Sequence, residues 1–178
     1  MRPDLGIDPI VIDVGRLLQH SATSRYSHLV TRPTGRAVRI AIEAQLSETS
    51  GTLLSIIDLS EVTVIDFSCA DEVVAKLLMR FIQEDRPNDT LFVFRGLDTH
   101  HREPIQAVLE RQTLLTVTEG SDGRFELLGS RTDEEQHAWS ALESRGRIGL
   151  PEVPSVFPLQ LHRRALDELV LRRVAFAS

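Results

Sequence analysis

Cysteine is nearly absent from this sequence. Cys69 stands alone, so no disulfide can form within the chain and no zinc site can be built on cysteine pairs. That sparseness suits a reducing compartment. Aromatic residues are scarce as well, at 5%, which leaves Leu, Val, Ile and Ala to fill the core that a 42% hydrophobic content supports. No run approaches the roughly 20 apolar residues that span a bilayer. The opening MRPDLGIDPIVIDVG lacks the apolar stretch and small-residue cleavage site of a signal peptide. A cytoplasmic location without membrane contact is therefore expected. Lysine is almost missing too: Lys76 is the single one among 20 basic residues, a coding bias rather than a chemical signal. The net charge of −6 argues against a whole-surface attraction to nucleic acid or acidic membranes.

Catalytic signatures are also lacking. There is no Gly-x-Ser-x-Gly, no phosphate-cradling glycine loop and no His-Glu-x-x-His. His100 and His101 are adjacent and diverge on any regular element, so they read as a surface turn. His137 and His162 fall on separate predicted helices without a ligand spacing. No catalytic residue, metal ligand or cofactor is predicted.

What is present is an alternation of strands and helices. Pro9 to Val14 is a short β-branched strand, followed by a helical turn and a loop ending near Pro33. In that loop and just after it, Arg25, Tyr26, Arg32 and Arg36 form a dense polar group, read either as a solvated surface or as a contact for an acidic partner. From Thr34, Ala37, Val38, Ile40, Ala41 and Ala44 form one stripe of an amphipathic helix closed by Gly51. Thr52 to Leu59 is a continuous apolar strand of the kind covered on both faces, and Val62 to Ile65 is a second short run. Ser68 to Asp85 carries Val73, Val74, Leu77, Leu78 and Phe81 at helical spacing, with Ser68 and Asp71 as a capping pair. Thr90 to Phe94 is another strand, Pro104 to Gln112 a short helix with Pro in its first turn. Leu114–Thr118 and Arg124–Leu128 flank a turn-forming EGSDG, as a hairpin or sheet edge. This pattern predicts an α/β domain over residues 1–130.

Residues 131–178 have a different texture and are predicted to be a mainly helical segment. One helix is capped at Thr132 or Asp133 and stopped at Gly146. A Pro-interrupted stretch follows, then a helix with Leu161, Ala165, Leu166, Leu169 and Val170 as its stripe, and VAFAS as one short terminal strand. The segment resembles a winged-helix module, with Trp139, Leu142, Ile148, Val153 and Leu166 as its core. That resemblance implies DNA contact through Gln160, Arg163 and Arg164. Its balanced charge suits instead a helical pair that packs on the sheet, forms a homodimer or binds another protein.

The most specific stretch is Leu53 to Leu78, LLSIIDLSEVTVIDFSCADEVVAKLL. A hydrophobic strand ending in Asp-Leu-Ser, a Val-Ile-Asp segment and a serine opening a helix resemble the centre of STAS (anti-sigma factor antagonist) domains, closest to the STAS-like branch of unknown function. The resemblance covers roughly Pro9 to Gly129. It implies a mixed β-sheet with helices packed on one side, and a bacterial regulator that binds a protein, such as an anti-sigma factor or a kinase-like regulator, rather than turning over a substrate. By position Ser68 matches the serine phosphorylated in partner-switching members, and Asp66 the acid before it. The docking surface implied is Asp66, Phe67, Ser68, Cys69, Asp71 and Glu72. The sequence departs from the family at Cys69, where a small residue is usual. Asp71 and Glu72 add negative charge near the helix start, which opposes a phosphate there. Two readings of Ser68 stand: a cap alone, or a cap that is also modified. Cys69 reads as a buried small side chain or as a thiol activated by the helix N-terminus.

Overall fold

A computed structural model of the chain describes residues 8–21 and 28–177. In chain order the elements are β1 (Ile10–Asp13), α1 (Val14–Ser21), β2 (His28–Leu29), α2 (Arg32–Ser47), β3 (Thr52–Asp58) and β4 (Val64–Ile65). Helix α3 follows, running through Phe67–Ala70, a π-helical turn at Asp71–Lys76, and Leu77–Ile82. Then come β5 (Asp89–Arg95), α4 (Thr99–Arg111), β6 (Leu115–Glu119), β7 (Phe125–Gly129) and α5 (Asp133–Arg145). A 3-10 turn at Leu150–Glu152 leads into α6 (Val153–Val156), and α7 (Gln160–Leu171) closes the fold.

The fold is α/β. Its five-stranded mixed sheet has the order β1-β3-β5-β6-β7, parallel throughout except for the antiparallel β6–β7 hairpin at one edge. β2 and β4 form a separate parallel ribbon. Because side chains alternate along a strand, each face of the sheet carries its own core. On one face Ile12, Ile57, Phe92, Phe94 and Leu128 meet the buried sides of α1 to α4. On the other, Val93, Leu115, Val117 and Leu127 meet Trp139, Phe157, Ala165 and Leu169 from the C-terminal helices. The C-terminal segment is thus a second helical layer on the same sheet. That layer reaches β5, β6 and β7 more fully than β3, whose Leu54 and Ile56 stay half-buried, or β1, whose Val11 is exposed.

Several local expectations are corrected. In α2 the buried stripe is Gly35, Val38, Ile42 and Leu46, whereas Ala37, Ile40 and Ala44 face outward. The helix is apolar on two sides, and the side with the larger branched residues wins the core. Helix α4 starts at Thr99 rather than at Pro104, because the Asp98 carboxylate accepts the amides of His100 and His101 at 2.8 and 3.0 Å. His101 is no surface turn: it is buried, and its Nδ1 accepts the Asp98 amide to complete a capping box. On α7 Leu161 is exposed while Ala165 and Leu169 are buried, and Arg172–Ala177 form no strand. Arg25 and Tyr26 lie outside the described residues.

Candidate functional site at the start of α3

The β2–β4 ribbon delivers the chain to α3. His28 pairs with Val64 and Leu29 with Ile65, and the Asp66 amide donates to the Leu29 carbonyl at 3.0 Å. The ribbon ends there, leaving Asp66 as the last extended residue, with φ −89° and ψ 169°. Asp66 is therefore the N-cap. Its Oδ1 accepts the Cys69 amide at 2.7 Å and the Ser68 hydroxyl at 2.8 Å, and its Oδ2 accepts the Thr31 amide at 3.2 Å. Burial pushes the Asp66 pKa up, but these bonds outweigh it and hold the carboxyl below the usual aspartate range. The expected cap at Ser68 is two residues late, since Ser68 is the second residue of the helix. Asp71 and Glu72 accordingly belong to the π turn and not to the first turn.

Three features make this junction unlike ordinary helix packing. Thr31, just before α2, has φ 75° and ψ 135°, a conformation that costs a β-branched residue about 1–3 kcal/mol. It is held there by the Asp66 bond and by its own carbonyl, which accepts the Gly35 amide at 3.2 Å and the Cys69 thiol at 3.0 Å. Second, Gly35 lets the two helices touch: a Cβ there would lie 3.0 Å from the Cys69 Cα and 3.1 Å from the Glu72 Cβ. Third, α3 widens into a π turn, a rare geometry that recurs at functional sites.

The Glu72 carboxylate lies in that turn and is buried. Arg32 Nη1 reaches Asp71 at 2.7 Å and Glu72 at 2.9 Å. Arg39 Nε lies 3.2 Å from Glu72, and its Nη1 lies 2.7 Å from Glu43. Lys76 pairs with Glu72 one turn along the helix. Burial pushes the Glu72 pKa up, yet Lys76, Arg32 and Arg39 together pull it below the usual glutamate range. The two carboxylates are thus already neutralised by cations.

Cys69 is fully buried, and its thiol is pushed up to about 12, by burial first and then by the Asp66 charge. It stays protonated at neutral pH and is no activated nucleophile. Phe67, by contrast, is 56% exposed, with Val64 of β4 at 42% and Val30, just after β2, at 39%. Asp66, Phe67, Ser68, Cys69, Asp71 and Glu72 are thus together, but only Phe67 among them is largely open to solvent. Sequence reasoning missed Thr31, Gly35, Arg39 and Lys76, whose roles depend on the α2–α3 crossing. The i,i+4 spacing of Glu72 and Lys76 was the one available signal.

The C-terminal candidates lie elsewhere. Gln160 and Arg164 are exposed on α7, whereas Arg163 is half-buried and donates to the Pro158 carbonyl at 3.0 Å. His137 and His162, expected on separate helices without a ligand spacing, lie on α5 and α7 and stack with ring centroids 4.3 Å apart. Among the described residues no group of three or more His, Cys, Asp or Glu side chains could hold a metal ion, and no helix is long and apolar enough to cross a membrane. Comparison with protein-family models, curated proteins and solved structures finds no match.

Proposed function

We propose that this chain is a cytoplasmic regulatory module of the anti-sigma factor antagonist type, which docks an anti-sigma factor or kinase-like regulator at the start of α3 and has no catalytic role. The observation that carries this reading is the exposed Phe67, which follows the β2–β4 ribbon and its exposed Val64, on a frame whose polar groups are bonded inward. An exposed aromatic on a rigid support is the kind of anchor that dominates protein interfaces. The Asp66 cap and the locked Thr31 supply the rigidity.

Ser68 is the switch in this reading. Its half-buried hydroxyl donates to Asp66, and a phosphate would replace that donor with a dianion facing the carboxylate. Repulsion would unseat the cap and shift Phe67, so phosphorylation releases the partner. The test immobilises wild-type, Phe67→Ser and Ser68→Asp proteins and exposes each to extract of the native cell. One protein retained by wild type and lost by both variants is expected. Equal retention by all three would overturn the reading.

A further inference from the structure

We propose that the groove between α2 and the π turn of α3 receives an acidic segment of a partner protein that carries one bulky apolar side chain. The inference rests on the reading of this chain as a protein-docking module. The outward face of α2 supplies the floor, where Pro33, Ala37 and the 50% exposed Ile40 line an open depression of about 680 Å³. Arg32, Arg36, Arg39 and Lys76 form its rim. The one carboxylate in the lining, Glu72, is buried beneath Arg32, Arg39 and Lys76, so an incoming ligand meets cations.

Charge complementarity selects the occupant. Arg36 is exposed and has no ion-pair partner among the described residues. Arg32 spends only Nη1 on Asp71 and Glu72, which leaves Nε and Nη2 without a hydrogen bond among the described residues. These donors line one groove in a chain whose net charge is −6. Because Asp71, Glu72 and Glu43 already pair with Arg32, Arg39 and Lys76, the positive charge left for a ligand is that of Arg36 with the spare Arg32 donors beside it. Guanidinium groups match carboxylates in fork geometry. The aliphatic floor fits a peptide anchor, while a single-stranded nucleic acid would want aromatic platforms and the acidic whole would be repelled by nucleic-acid phosphates and by an anionic membrane.

The test selects random dodecapeptides displayed on phage against the immobilised full chain. Enrichment of peptides with carboxylates around one aliphatic or aromatic residue is expected. The best of them should bind about tenfold more weakly to Arg36→Glu and to Ile40→Asp, and more weakly as salt is raised. Both positions are exposed, and unchanged thermal unfolding verifies that the variants fold. Peptides without acidic bias, or peptides that ignore Arg36 and Ile40 but need Phe67, overturn the groove and leave docking at α3 standing. Retention of single-stranded DNA or phosphatidylserine vesicles in place of acidic peptides also overturns it. Peptides that need Arg36 and Ile40 uphold the groove even where Phe67→Ser and Ser68→Asp retain the native partner, in which case the reading above falls alone.

Discussion

The two helical layers on this sheet are built by different means. The C-terminal layer relies mainly on standard devices: a capping box between Thr132 and Glu135 opens α5, Gly146 closes it at φ 70°, and Phe157, Trp139 and Leu169 fill the space against the strands, with Arg173 just past α7 as its positive-φ exception at 59°. Its buried ion pair, Glu135 with Arg172 at 2.7 Å, ties the end of α7 to the start of α5. The α2–α3 junction on the opposite face departs further from those rules, with a strained threonine, a close helix contact at Gly35, a π turn and a buried carboxylate under three cations. Irregularity of this kind is maintained by its surroundings and concentrates where proteins function. Both layers bury a core against the sheet, and the irregular features gather at the α2–α3 junction of one of them.

The contrast can be broken or sharpened in order of effect. Phe157→Ala empties a fully buried site and should cost about 4 kcal/mol, as should Phe94→Ala on the opposite face. Trp139, the sole tryptophan, sits in the C-terminal core. Urea unfolding followed by its fluorescence and by far-UV circular dichroism should coincide in both variants. A fluorescence transition that moves alone would make the C-terminal layer a separate unit.

Glu72→Ala removes the carboxylate shared by Arg32, Arg39 and Lys76 but leaves Arg39 paired with Glu43 and Arg32 with Asp71, and should cost about 2 kcal/mol for the lost charged hydrogen bonds. The acid dependence follows from the same groups. Asp66 and Glu72 are held below their ordinary values, so the stability they contribute is present above about pH 4.3 and is lost as pH falls through the lower folded values. Wild type should therefore lose stability steeply in that acid range, and Glu72→Gln should lose less there, measured by urea midpoints against pH. Asp66→Ala removes a cap and should cost about 1–2 kcal/mol. Phe67→Ser should alter stability by no more than about 0.5 kcal/mol, which separates a surface used for binding from one used for folding.

Much of the fold was legible from periodicity. The apolar runs at Thr52–Leu59 and Thr90–Phe94 are the central strands β3 and β5, and the capping box and glycine of α5 fall where local chemistry puts them. α2 is legible as a helix but not in its orientation, since Ala37 and Ile40 compete with Val38 and Ile42 for the core and only packing against α1 and α3 decides. At the candidate site the stretch from Asp66 to Glu72 was legible, and its supports were not. Thr31 and Arg39 act on α3 from more than thirty positions away, and a positive φ at threonine has no local signal. The π turn likewise leaves no mark in a valine-rich helix.

The most direct test compares the affinity of the captured partner for Phe67→Ser with its affinity for Leu161→Ser/Leu171→Ser, which trims exposed apolar side chains on α7. The account predicts a loss of about tenfold or more for Phe67→Ser and none for the α7 variant. A partner that ignores Phe67 and is lost with the α7 substitutions would contradict it, and would move the working surface to the C-terminal layer.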